Sequence, residues 1–185
     1  MGYYRQRASQ NLLSVWRLAT AFAEIAVHRR SPADLPASQF LVGLLVALYL
    51  VVELAYLRIL RELGAIQTLL LLLDCAFFLA YVFVALRIFG RERRFRQTAA
   101  ALLGAEVLLD LIGLPLAFWI RALDAPPDQA TPPQLLYLLL WLWSVDVGGY
   151  IIGRAIARPY LVGLLFMILY VIASLGISDW MARAN

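Results

Sequence analysis

Five runs of apolar residues, each about 18 to 22 long and separated by short polar breaks, constrain this chain more than any other feature. A helix rising 1.5 Å per residue needs about 20 such residues to cross ~30 Å of hydrocarbon. The runs therefore predict helices, not barrel strands. With 63% apolar and 15% charged residues among its 185, the chain lies outside the composition of an ordinary soluble domain. The expected fold class is all-α: a polytopic membrane bundle of five transmembrane helices preceded by an amphipathic interfacial helix.

The spans fall at about residues 40–57, 65–86, 98–120, 134–152 and 160–177, within a membrane domain covering 39–185, and Gly64 marks the first short turn. Residues 1–38 form a cytoplasmic N-terminal segment. Within it, "SQNLLSVWRLATAFAEIAVH" (residues 9–28) puts Leu12, Trp16, Ala19, Phe22, Ala23 and Ala26 on one helical stripe, with Arg17, Glu24 and His28 on or near the other side. Such a helix either lies on the membrane surface or packs against the spans. The two prolines of "RRSPADLPASQ" stop it and turn the chain toward the bilayer. Residues 1–30 lack the apolar core and cleavage site of a signal peptide, so the first span is expected to act as the uncleaved targeting signal.

Arginine counts give the orientation, because cytoplasmic loops are enriched in Lys and Arg. Arg5, Arg7, Arg17, Arg29 and Arg30 precede the first span. Arg87, Arg91, Arg93, Arg94 and Arg96 join the second and third, and Arg154 and Arg158 join the fourth and fifth. The opposite side has Arg58, Arg61, Arg121 and Arg183. Twelve against four predicts a cytoplasmic N-terminus and a periplasmic C-terminus in a bacterial inner membrane. Trp119 and Trp180 then fall at the outer interface, and the proline-rich loop "RALDAPPDQATPPQ" is a connector.

Against this background the acids stand out. Asp74 lies near the centre of the second span, Glu106 and Asp110 straddle the centre of the third, and Asp146 sits just past the middle of the fourth. The three aspartates are 36 residues apart each time, so in antiparallel neighbours they return to a similar depth. A carboxylate at a helix centre costs about 2.5 to 3.5 kcal/mol on the insertion scale, whereas Leu, Ile, Phe or Val returns about 0.3 to 0.6. The eleven such residues of the third span are worth about 5 kcal/mol against about 5 to 7 for its two acids. That span should be buried among the others, with Glu106 and Asp110 one turn apart on an inward face. The four acids read either as a protonatable or cation-binding cluster or as protonated hydrogen-bonding links between helices, helped by Arg58, Arg87 or Arg154 reaching inward. Glu53, near the outer end of the first span, is placed to snorkel or to pair with Arg58.

Gly149 and Gly153 in "VDVGGYIIGRA" form a GxxxG, which permits close helix approach within the chain or across a homodimer. Gly113 and Pro115 in "LIGLPLAFW" allow a bend just beyond the acids of the third span. His28 is the only histidine and Cys75 the only cysteine, so bis-histidine haem, His-rich metal sites, Ser-His catalysis and disulfides are not expected within one chain. No HExxH, Walker A or dinucleotide fingerprint occurs, and "SVDVGGY" and "LLDLIGL" are not intramembrane aspartyl-protease motifs. Neither a metal, a cofactor nor an enzymatic activity is predicted. All sixteen cations are arginine, and they cluster at membrane borders without interleaved recognition aromatics, which speaks against nucleic acid as a partner.

The order of these features resembles the bacterial branch of the Yip1-like membrane proteins over residues 28–178. The similarity rests on an N-terminal helix followed by "SPADLP", five closely spaced spans, the basic "GRERRFRQTAAALLG" entry to the third, its late proline, and the aromatic "LLWLWSV" opening the fourth. The resemblance implies a five-span bundle with an interaction, scaffold or trafficking-like role and no established catalytic residues. It does not account for Asp110 and Asp146. The first functional expectation is a non-enzymatic component that binds lipid, another membrane protein or a second copy, with Arg91, Arg93, Arg94 and Arg96 on anionic headgroups or a partner. The alternative is a small proton- or cation-translocating subunit using Asp74, Glu106, Asp110 and Asp146.

Overall fold

Helix boundaries in this chain follow from the chemistry of its ends. The structure is a computed structural model that describes residues 16–60, 64–124, 126 and 129–183, with side chains to residue 177. Arg5, Arg7, Leu12 and Arg61, and the side chains of Trp180 and Arg183, lie outside the described residues. The first helix, α1, is described over 16–26 and closes with His28 in the left-handed region, φ 60°. The Arg29 N–H donates to the Glu24 carbonyl (2.8 Å) and the His28 N–H to that of Ile25 (2.9 Å), a Schellman ending. Ser31 and Pro32 then open a short 3-10 turn, Pro32–Asp34, and the Ser38 hydroxyl accepts from the Leu41 N–H (3.3 Å) at the start of α2, Gln39–Leu60.

Helix α3 spans Ala65–Ile88, α4 Phe95–Leu123, α5 Pro132–Ile156 and α6 Tyr160–Arg183. Gln134 caps α5 by accepting the Thr131 N–H (2.8 Å), and α4 runs unbroken through Pro115. There is no strand among the described residues. Helices α2 to α6 each contain an 18-residue window of mean hydropathy 1.7 to 2.6, which defines an integral membrane protein with five spans.

At the centre of the bundle stands α4. Half of the most apolar window of its span, 50%, is buried inside the protein, against 11% for the last span. Thr98, Ala99, Ala100, Ala101, Gly104 and Ala105 are all buried, small residues that let neighbouring helices approach closely where no hydrophobic force draws helices together, and α2 and α5 are the spans packed most extensively on α4. This is where the insertion argument placed the third span. Helix α5 in turn packs on α6 through glycine. A Cβ on Gly163 of α6 would overlap the Gly149 carbonyl and the Gly153 backbone. Of the two uses its spacing allows, the GxxxG is seen here in the first, packing within the chain.

Helix α1 packs against the spans instead of lying apart on a surface. Ala21, Phe22, Ile25 and Ala26 are buried, and the Phe22 ring occupies the space that a Cβ on Gly104 would need. Trp16, Ala19 and Ala23 of the expected apolar stripe are exposed, so the packing face is rotated from the predicted one. The Trp143 indole donates to the Ala26 carbonyl (3.1 Å), the Tyr150 hydroxyl to that of Arg30 (3.3 Å), and the Gln97 amide to those of Ala33 and Leu35 (3.1 and 2.9 Å). Residues 26–32 thus follow α5 toward the arginine-rich end of the bundle.

Candidate functional site

The four intramembrane acids divide into three hydrogen-bonded groups; they do not form the single cluster that their spacing suggested. Asp74 on α3 is satisfied from α6: Ser174 donates to Oδ1 (2.6 Å) and Tyr170 to Oδ2 (3.1 Å). Two hydroxyl hydrogen bonds make this a link between helices. Asp146 on α5 faces the end of α1. The Tyr160 hydroxyl donates to Oδ1 (2.5 Å), His28 Nε2 lies 3.2 Å from Oδ2, and the imidazole stacks on Tyr150 with ring centroids 4.2 Å apart. His28 and Asp146 are 33% and 40% exposed, so this contact lies at the rim of the bundle and not in its core. Ten residues of α5, about 15 Å, separate Asp146 from Ile156.

The third group is the most enclosed. Ser144 of α5 sits at 2.8 Å from both Glu106 oxygens, so one hydroxyl proton is shared across the carboxylate. One turn along α4, Asp110 Oδ2 is buried and has no hydrogen-bond partner among the described residues. The Asp110 carbonyl accepts from the Tyr56 hydroxyl of α2 (2.7 Å), and half-buried Glu53 lies on the same face of α2 three residues earlier. These groups border a cavity of about 30 Å³ lined by Tyr56, Glu106, Asp110, Tyr137, Trp141 and Ser144. A water needs about 10 to 15 Å³ measured in this way and two to four polar partners, and this cavity supplies both. Among the described residues no group of three or more His, Cys, Asp or Glu is arranged to hold a metal ion. The chemistry available is that of two like carboxylates beside a water-sized space: they can hold one proton between them and pass it to a water.

Arginine supplies none of this pairing. The ion pairs among the described residues join His28 to Asp146 and Arg30 to Glu24 and Asp34, so Arg58, Arg87 and Arg154 do not reach the acids and Glu53 does not pair with Arg58. Hydroxyls take that part. Ser144, Tyr170, Ser174 and Tyr160 were not singled out from sequence; the only signal was a hydroxyl-bearing residue in an otherwise apolar helix. Of the loop arginines, Arg91, Arg93 and Arg96 are exposed. Arg94 is not available to a partner in the same way: its Nη1 donates to the Ala155 carbonyl (3.3 Å) and approaches that of Arg154 (3.5 Å), closing the end of α5.

The geometry defines a class, a five-span integral membrane protein with one enclosed pair of carboxylates. A scan of family models finds no match for the chain, and neither curated proteins nor solved structures give one.

Proposed function

We propose that this protein is a small proton-translocating component of a bacterial inner membrane, without covalent chemistry of its own, in which Glu106 and Asp110 are the proton-binding groups. The observation that carries this reading is the unpartnered, buried Oδ2 of Asp110 beside Glu106 and a water-sized cavity. An acid needed only to join helices finds donors, as Asp74 does with Tyr170 and Ser174. A carboxylate left without one at this depth is retained at a cost that a proton site explains. A proton is favoured over a metal cation because the cavity has room for about one or two waters and, among the described residues, no three-ligand cluster surrounds it.

Proton flux in proteoliposomes separates this from a structural site. The native chain should dissipate an imposed pH gradient above the empty-vesicle rate, and the Glu106→Gln plus Asp110→Asn variant, folded to the same thermal stability, should not. Flux at the empty-vesicle level for both chains sinks the proposal.

A second reading, an interaction or scaffold component of the Yip1-like kind, is favoured by the exposed Arg91, Arg93 and Arg96. Three exposed guanidiniums at a membrane border suit anionic headgroups, another membrane protein or a second copy. On either reading the N-terminus is proposed to be cytoplasmic and the C-terminus periplasmic.

A further inference from the structure

Where α1 runs beside the turn that follows it, the chain leaves a groove of about 340 Å³ lined by Arg17, Thr20, Glu24, Arg30, Asp34 and Leu35. That volume is in the range of about 300 to 1,000 Å³ typical of small-ligand sites. Its charges are of both signs. Arg30 Nη1 donates to Glu24 Oε2 at 3.2 Å and Arg30 Nε lies 3.9 Å from Asp34 Oδ2, so one guanidinium is shared between two carboxylates. Glu24 Oε1, Asp34 Oδ1 and the Arg17 guanidinium have no ion-pair partner among the described residues, and Glu24 and Asp34 are 45% and 54% exposed.

The turn that borders the groove adjoins the arginine-rich end of the bundle. Gln97, near the start of α4, holds the Ala33 and Leu35 carbonyls, which fixes the turn beside the arginine loop. Trp16 and Phe40, at the described start of α1 and the start of α2, are strongly exposed, as aromatic side chains of an interfacial belt are. A molecule seated there meets the Arg17 guanidinium at one side and carboxylate oxygens of Glu24 and Asp34 at the other.

We propose that this groove binds the headgroup of an aminophospholipid, with the Arg17 guanidinium on the phosphate and the free oxygens of Glu24 and Asp34 on the primary ammonium. Guanidinium matches phosphate in charge and donor geometry. A primary ammonium offers three N–H donors, whereas a quaternary choline offers none and so cannot hydrogen-bond to the carboxylates. An anionic headgroup lacking an amine brings its charge up to two acids. The groove therefore selects by the amine and not by net negative charge, and this distinguishes it from the exposed arginines of the α3–α4 loop. The proposal is independent of the proton reading.

The test is a titration of the delipidated full chain in detergent, followed by native mass spectrometry, with phosphatidylethanolamine, phosphatidylcholine and phosphatidylglycerol of matched acyl chains. The native chain should retain phosphatidylethanolamine at least about tenfold better than the other two, the worth of a hydrogen bond to a charged group. Glu24→Gln with Asp34→Asn should erase that preference while leaving phosphatidylcholine binding unchanged, which also reports that the variant is folded. Arg17→Ala should weaken phosphatidylethanolamine and phosphatidylcholine alike. Glycerophosphoethanolamine in the aqueous phase should compete, since the headgroup and not the acyl chains is what the groove reads. Equal retention of the three lipids, a preference for phosphatidylglycerol, a preference that survives the double variant, or failure of the free headgroup to compete would each overturn the assignment.

Discussion

Three helix ends in this bundle close with the same pair of backbone hydrogen bonds, and only one of them uses glycine. Gly90 after α3, Ala157 after α5 and His28 after α1 all adopt positive φ, at 64°, 56° and 60°. In each case the next residue's N–H reaches back five residues, from Arg91 to Leu86, from Arg158 to Gly153 and from Arg29 to Glu24. A Cβ in the left-handed region costs about 1 to 2 kcal/mol, which glycine avoids. Ala157 is exposed and buries little that would offset this, so Ala157→Gly should stabilise the protein by about 0.5 to 1 kcal/mol after allowing for the freer unfolded chain. Gly90→Ala should cost about 1 kcal/mol. Both shifts are measurable by unfolding in mixed detergent micelles. His28 is a different case, because the strained position aims its ring at Asp146 and Tyr150. There the local cost is offset by a contact between α1 and α5, and glycine would remove the contact together with the strain.

At the level of elements, the five spans were legible because a run of about 20 apolar residues has few alternatives in a helical membrane protein. The packing face of α1 was not. Its alanines at 19, 21, 23 and 26 suit either side of a helix, so Trp16 and Phe22 were left to define a stripe, and those two residues turn out to face different surroundings. Intramembrane carboxylates were visible because each carries an insertion cost. Their hydroxyl partners were not, since Ser144 meets Glu106, and Ser174 meets Asp74, only through an inter-helix register that no single span encodes. What holds α1 in place is the fit of Phe22 onto Gly104. Gly104→Leu puts a side chain where the ring sits, an overpacking worth about 1 to 3 kcal/mol. Amide hydrogens of residues 16–26 should then exchange about 10- to 100-fold faster, with α6 unchanged. Equal protection of α1 in both chains would show that its hydrogen bonds from Trp143, Tyr150 and Gln97 to the segment 26–35 suffice without the ring.

For the whole molecule, the proposed orientation rests on two things: an odd number of spans, and an arginine distribution that distinguishes the two sides. The ends of α3 and α5 and the starts of α2 and α4 meet at one end of the bundle, together with α1 and the turn after it. Arg91, Arg93 and Arg96 are exposed there, free to act as topology signals, whereas Arg94 is tied to the end of α5 and serves the folded bundle as well. Because the bias lies in basic residues close to span ends, neutralising part of it should reduce orientation before it reduces folding. Replacing Arg91, Arg93 and Arg96 with Gln, while keeping Arg94, should therefore yield a fraction of molecules inserted in the reverse sense. Reporters of cytoplasmic and periplasmic location at the C-terminus would read both populations. The native chain should give the periplasmic signal alone. If the triple variant does the same with undiminished yield, the nine arginines left on that side, Arg87, Arg94, Arg154 and Arg158 among them, suffice to set the orientation, and the exposed side chains of the α3–α4 loop are left for lipid or partner binding.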